Sequence, residues 1–276
     1  MTNIIPLRSI QRMFSAFLLI VSTLLIAANA AMAAQDTSLN VMGFSADGTI
    51  FAFEEYKVQD GSGAPSSTVY VIDMATDTWL PNTPIKIGGT EDSGLSIENS
   101  PDPEAATAAF LKQYRDEAKA RVAPLFEARG GLREAITIVA NPPNDFSNDA
   151  RRVRFHPVPY FSAIRQTPEQ KMLRLSITET PFPASENCFS MFESMKGLTL
   201  TLTDERDGSV KNLNEDTHIP ASRGCPQFYR IEKVVVPQPN RTNPDALAVI
   251  LRYATVGFEG KDGRLMAVTY QMPRKY

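Results

Sequence analysis

The sequence predicts a mainly β protein with one long helix, an α+β chain of antiparallel sheets that is sandwich-like or partly propeller-like. Leu198, Leu200 and Leu202 alternate strictly with Thr199, Thr201 and Thr203, the pattern of a strand with one buried and one wet face. Asp47-Gly48 and Asp207-Gly208 lie between apolar runs and read as hairpin turns, because Gly accepts positive φ. Helical recurrence is confined to one long stretch, and 20 prolines argue against a mainly helical chain.

In chain order, residues 38–80 form a β meander. Apolar residues 41–44 lead through Asp47-Gly48 into 49–53, and a Gly-rich loop 59–65 precedes a strand at 68–72 and a turn at 73–77 before Trp79. Residues 81–101 read as a polar connector punctuated by Gly and Pro. A helix is expected over about 103–129. Asp102 supplies the cap, Pro103 suits the first turn and Glu104 complements the dipole. Ala106, Phe110, Tyr114, Ala118, Val122, Leu125 and Phe126 form its apolar stripe. Pro124 should kink or break the last turns, and Gly130-Gly131 should end them. The remainder, 135–271, is β-rich, with strands expected at 135–139, 153–155, 172–178, 198–203, 210–213, 229–236, 247–256 and 265–270.

Residues 1–34 have the layout of a secretory signal. Arg8 and Arg12 form a positive start, residues 14–28 are apolar, and Ala-x-Ala sites end at Ala30 and Ala33. The apolar run is shorter than the about 20 residues of a spanning helix, so cleavage is expected, leaving 35–276 as a single exported domain that does not span a membrane. Losing 1–34 removes two of 28 basic residues and none of 31 acidic ones, so 26 against 31 leaves a net charge of −5. A mildly acidic domain does not fit nucleic acid, which needs clustered Lys and Arg. The one dense basic run, Arg151-Arg152-Val153-Arg154, reads as a solvated strand face. Cys188 and Cys225 are the only cysteines, and an even count in an exported chain predicts a disulfide.

Three segments carry a family resemblance. Residues 43–63 with Tyr70-Val71-Ile72-Asp73, residues 219–226 with Tyr229-Arg230-Ile231, and Gly257-Phe258-Glu259-Gly260 with Asp262 and Leu265-Met266-Ala267-Val268 resemble a bacterial family of predicted secreted proteins (domain of unknown function 2259). The resemblance implies export, which with the signal layout gives an expected periplasmic or secreted location, and it brings no activity, substrate or catalytic residues. The first segment is also similar to a single repeat of the TolB-type propeller. A propeller needs about four or more blades, and the pattern does not recur along the chain.

Chemistry is sparse. His156 and His218 stand outside every common zinc spacing. Glu54 and Glu55 are adjacent and should point to opposite strand faces, so they make no acid–base pair. Asp204-Glu205-Arg206-Asp207-Gly208 and Asp60-Gly61-Ser62-Gly63 lack the ligand spacing of a calcium loop. No cofactor or metal is expected. The reading is an exported, non-catalytic binding or accessory module of the cell envelope, whose partner is an unidentified envelope protein or ligand. The alternative is an envelope hydrolase with a scattered carboxylate and His site.

Overall fold

The computed structural model describes residues 37–59, 62–143, 149–157, 172–184, 188, 194–238, 246–256 and 261–272. The expected signal segment 1–34, Asp60 and Gly61, most of the loop 144–149, and residues 257–260 of the third motif lie outside the described residues.

Among the described residues, four layers stack: one long helix and three antiparallel sheets. The first sheet runs β4(Thr78–Trp79), β3(Pro65–Asp73), β2(Ile50–Val58), β1(Ser38–Ser45), β6(Leu132–Arg133), with β5(Ile85–Gly88) also paired to β3. The middle sheet runs β14(Lys261–Gln271), β13(Ala246–Val256), β12(Phe228–Pro237), β7(Ala135–Ala140). The outer sheet runs β11(Val210–Glu215), β10(Ser194–Asp204), β9(Leu173–Pro183), β8(Arg152–Phe155). Among the described residues none closes into a barrel or repeats as a blade, which corrects the propeller-like part of the expectation. The hairpin β1–β2 belongs to a meander whose outer face carries a helix, and a helix layer cannot stack as a further blade.

Side-chain alternation builds the layers. Ile50 and Ala52 of β2 face the helix with Val69 and Val71, meeting Ala118, Val122 and Phe126. Phe51 and Phe53 face the other way and meet Val235, Ala248, Ile250 and Leu265 of the middle sheet. The opposite face of that sheet, through Ile231, Val234, Val249 and Leu251, packs on Leu175, Leu198 and Leu200. A sheet covered on both faces needs apolar residues at every position, and residues 246–251 are all buried. Each fully buried Leu, Ile or Phe contributes about 1.5–3 kcal/mol, so these three interfaces dominate the stability.

The long helix, Pro103–Glu127, is capped by Asp102, whose carboxylate accepts from Ala105 N at 3.0 Å. Only the second half of the expected stripe is buried, at Ala118, Val122 and Phe126. Pro124 does not break the helix. Val122 and Phe126 are buried on either side of it, while Pro124 itself is exposed, and that packing holds the turn although one backbone donor is missing. The connector 81–101 also departs from expectation, since it contains β5 and a short helix, Glu91–Glu98. Pro84 and Gly88-Gly89 hide a four-residue strand, and Gly94 disguises the helix. That glycine is needed because a Cβ there would collide with the Ser62 carbonyl.

A buried charge fixes the helix to the first sheet. Glu54, fully buried, accepts from Arg115 Nε at 2.8 Å, Arg115 Nη2 at 3.1 Å, Ser67 Oγ at 3.0 Å and Asn40 Nδ2 at 2.9 Å, and Lys119 Nζ lies 3.3 Å away. Burial opposes its charge, but the Arg115 hydrogen bond and the Lys119 and Arg115 charges outweigh that and hold the pKa below the ordinary value.

A candidate ligand cleft at the sheet edges

Strand register assembles one face of the first sheet into a graded surface. Phe51, Phe53, Glu55 and Lys57 share the inner face of β2, so it passes from apolar to charged along the strand. Across the sheet, Phe53 pairs with Tyr70, Glu55 with Thr68, and Lys57 with Ser66, while Thr68 pairs in turn with Lys86 of β5. The outer edge of β3 is shared by two short strands, with β4 against Ile72-Asp73 and β5 against residues 66–69. Tyr70 lies at the gap between them.

An aromatic file leads to that gap from the core. Ring centroids are 4.9 Å apart for Phe44–Phe51, 6.3 Å for Phe51–Phe53, 4.8 Å for Phe53–Tyr70 and 5.6 Å for Tyr70–Trp79. The first four members are buried, whereas Trp79 is 46 % exposed. Around the end of the file lies a cleft of two adjoining lobes that share Tyr70, Trp79 and Ser222. One, of about 300 Å³, is walled by Phe53, Asp77, Tyr253, Met266 and Arg223. The other, of about 330 Å³, is lined by Glu55, Lys57, Gln59, Thr68, Lys86 and Arg264. Lobes of this size suit small organic ligands.

Hydrogen bonds lock the walls together. Glu55 accepts from Arg264 Nε at 2.8 Å and from Leu265 N at 3.0 Å, tying β2 to the edge strand β14. Asp77 accepts from Thr269 N and Thr269 Oγ1, each at 2.7 Å, tying the β3–β4 turn to the same strand. The third wall is the loop after β11, which holds a 3-10 turn, Ala221–Arg223. Arg223 pairs with Asp216, whose carboxylate also accepts from Leu198 N at 2.7 Å. The disulfide between Cys188 and Cys225, with Cα atoms 5.8 Å apart, closes the base of this loop.

The electrostatics differ between the lobes. Burial, and then the charges of Arg264 and Lys86, push the Lys57 pKa below its ordinary value, against Glu55 and Asp262, which raise it. Burial also opposes the charge on Arg264, but Glu55, Tyr253 and Tyr70 overcompensate and its pKa is raised. At the other end, burial lifts the Asp77 carboxyl to about 6, against the lowering effect of the Thr269 hydrogen bonds.

The residues singled out from sequence fall mostly elsewhere. Cys188 and Cys225 are bonded. His156 follows β8 and His218 follows β11, at opposite edges of the outer sheet, so the two are not brought together. Glu54 and Glu55 do point to opposite faces, Glu54 held by Arg115 and Lys119 and Glu55 by Arg264. In the loop 204–208, Asp204 accepts from Arg206 N and Asp207 from Ser209 N, which is turn chemistry. Arg151, Arg152 and Arg154 are exposed, with Arg154 paired to Glu205 at 2.6 Å. Among the described residues, no group of three or more His, Cys, Asp or Glu is placed to hold a metal, and no helix is long and apolar enough to cross a membrane. The cleft residues Tyr70, Trp79, Lys57, Lys86 and Arg264 escaped the sequence reading as a site. The available signal was the lone Trp beside a turn.

Fold and cleft together define a mainly β protein of three stacked antiparallel sheets with an amphiphilic pocket at their edges. Residues 52–271 match the family described as predicted secreted protein, DUF2259. The chain belongs to this family of predicted secreted proteins. No curated protein matches it, and no solved structure does. The three segments that carried the resemblance from sequence meet at the cleft: Phe53 and Tyr70 from the first, Pro220, Ser222 and Arg223 from the second, and residues 265–268 from the third.

Proposed function

We propose that this secreted protein is a non-catalytic binding or accessory module of the cell envelope, working in the periplasm after loss of its signal, and that a small ligand occupies the cleft around Tyr70 and Trp79. The observation that carries this reading is the aromatic file that ends in a half-exposed Trp79 above two adjoining lobes. Buried rings ending in an exposed one make a rigid stacking platform at low entropy cost. The carboxylates around it support binding over turnover, because Glu55, Asp77 and Asp216 each hold backbone donors of the framework. The convergence of the three family segments on one cleft favours the same place.

The test is a thermal-shift screen of envelope components and small organic metabolites against the wild type and Trp79→Ala. A ligand at 100 times its Kd should add about 2.7 kcal/mol of stability, which Trp79→Ala should abolish, and the ligand should be recovered unchanged. Recovery of a hydrolysed product would overturn the reading in favour of an envelope hydrolase, and stabilisation that survives Trp79→Ala would move the site away from the cleft.

A further inference from the structure

Lys57, Lys86 and Arg264 gather in a chain whose acidic residues outnumber its basic ones. Register brings them there: Lys57 of β2 lies opposite Ser66 and Lys86 of β5 lies opposite Thr68, so the two flank β3 on one sheet face. Arg264 enters from the edge strand of the middle sheet. Two carboxylates answer them. Glu55 takes Arg264 at 2.8 Å, and Asp262 acts on Lys57 through space. Three cations against one carboxylate in the lining, with Asp262 acting from outside it, leave this lobe net positive, with Gln59, Ser66 and Thr68 as polar lining. Tyr70 and Trp79 line the same lobe, so the cations sit beside the stacking platform.

Resting on the cleft reading above, we infer that this lobe receives the negative group of a ring-bearing organic acid, whose ring lies against Tyr70 and Trp79 while its carboxylate meets Lys57 and Lys86. The depressed Lys57 pKa fits the same picture: burial and like-charged neighbours disfavour its cation, and a bound anion would offset both. The ring is aromatic or a pyranose, either of which presents a flat face to Trp79.

Trp79 is the sole tryptophan, so intrinsic fluorescence reports the cleft directly. Benzoate and benzamide probe the aromatic case, and glucuronate and glucose probe the sugar case. One acid should shift Trp79 emission saturably and bind about tenfold tighter than its uncharged counterpart, as a charge-assisted hydrogen bond predicts. The exposed Lys86 allows a variant that folds: Lys86→Gln should weaken the acid by about tenfold and leave the neutral compound unchanged. Equal binding of acid and neutral compound, or an acid insensitive to Lys86→Gln, overturns the anion inference and leaves the cleft reading standing. A cleft that responds to neither member of either pair overturns the inference and counts against the cleft reading as well.

Discussion

Asp77 is where a single residue is most exposed to pH. It adopts a φ of 54°, tolerated by Asp and Asn better than by most side chains, and this aims its carboxylate at Thr269. Burial lifts its pKa from 3.8 to about 6. Between those values the folded chain keeps a proton that the unfolded chain has released. The contribution of the group is therefore fully present below about pH 4 and lost as pH rises through about 6. Asp77→Asn keeps the acceptor and the backbone conformation and removes the buried charge. It should be more stable than the wild type at pH 7.5, by on the order of 1 kcal/mol, and no more stable at pH 4. Urea midpoints at the two pH values decide this, and a lower midpoint for the variant at pH 7.5 would show that the Thr269 hydrogen bonds outweigh burial.

The β1–β2 hairpin illustrates what a turn contributes to an element. Gly48 has a φ of 75° and donates to Ser45 O at 2.9 Å, while Asp47 Oδ1 accepts from Ser45 Oγ, Thr49 N and Thr49 Oγ1. No atom lies within 4 Å of a Cβ built on Gly48, so space does not oppose substitution and only the backbone does. Gly48→Val should cost about 1–3 kcal/mol, a fall in Tm of roughly 2–10 °C, and Gly48→Asn should recover most of it. Scanning calorimetry with and without calcium checks both the strain and the turn reading, which requires a Tm indifferent to calcium. This hairpin was legible from Asp47-Gly48 and the Phe alternation around it, as β10 was from its Leu and Thr alternation. Strand β5 was not, because its two isoleucines are too few to set a period between Pro84 and Gly88. The cleft was half legible. Phe51, Phe53, Glu55 and Lys57 plainly share a face, yet only tertiary pairing tells which distant strand that face meets, and Arg264 lies 209 positions beyond Glu55.

At the scale of the whole molecule, the Cys188–Cys225 bond crosses 37 positions and ties the segment after β9 to the loop that walls the cleft. Chain entropy alone gives up to about 4 kcal/mol for such a loop. Thiol labelling of the denatured, unreduced protein should find no free thiol. A Cys188→Ala/Cys225→Ala variant should lose on the order of 2–4 kcal/mol in chemical denaturation, and an unshifted midpoint would show that the loop is held by Arg223 and Asp216 without the bond. The clamp at Glu55 has a different consequence, one of timing. It joins the second strand to the fourteenth, so the inner face of the first sheet finds its partner only when nearly the whole chain is present. Pairings this distant in sequence make folding slow, on the scale of milliseconds to seconds for β-rich domains. The inner face of the early strands is therefore the last to be covered, after β12, β13 and β14 have been made.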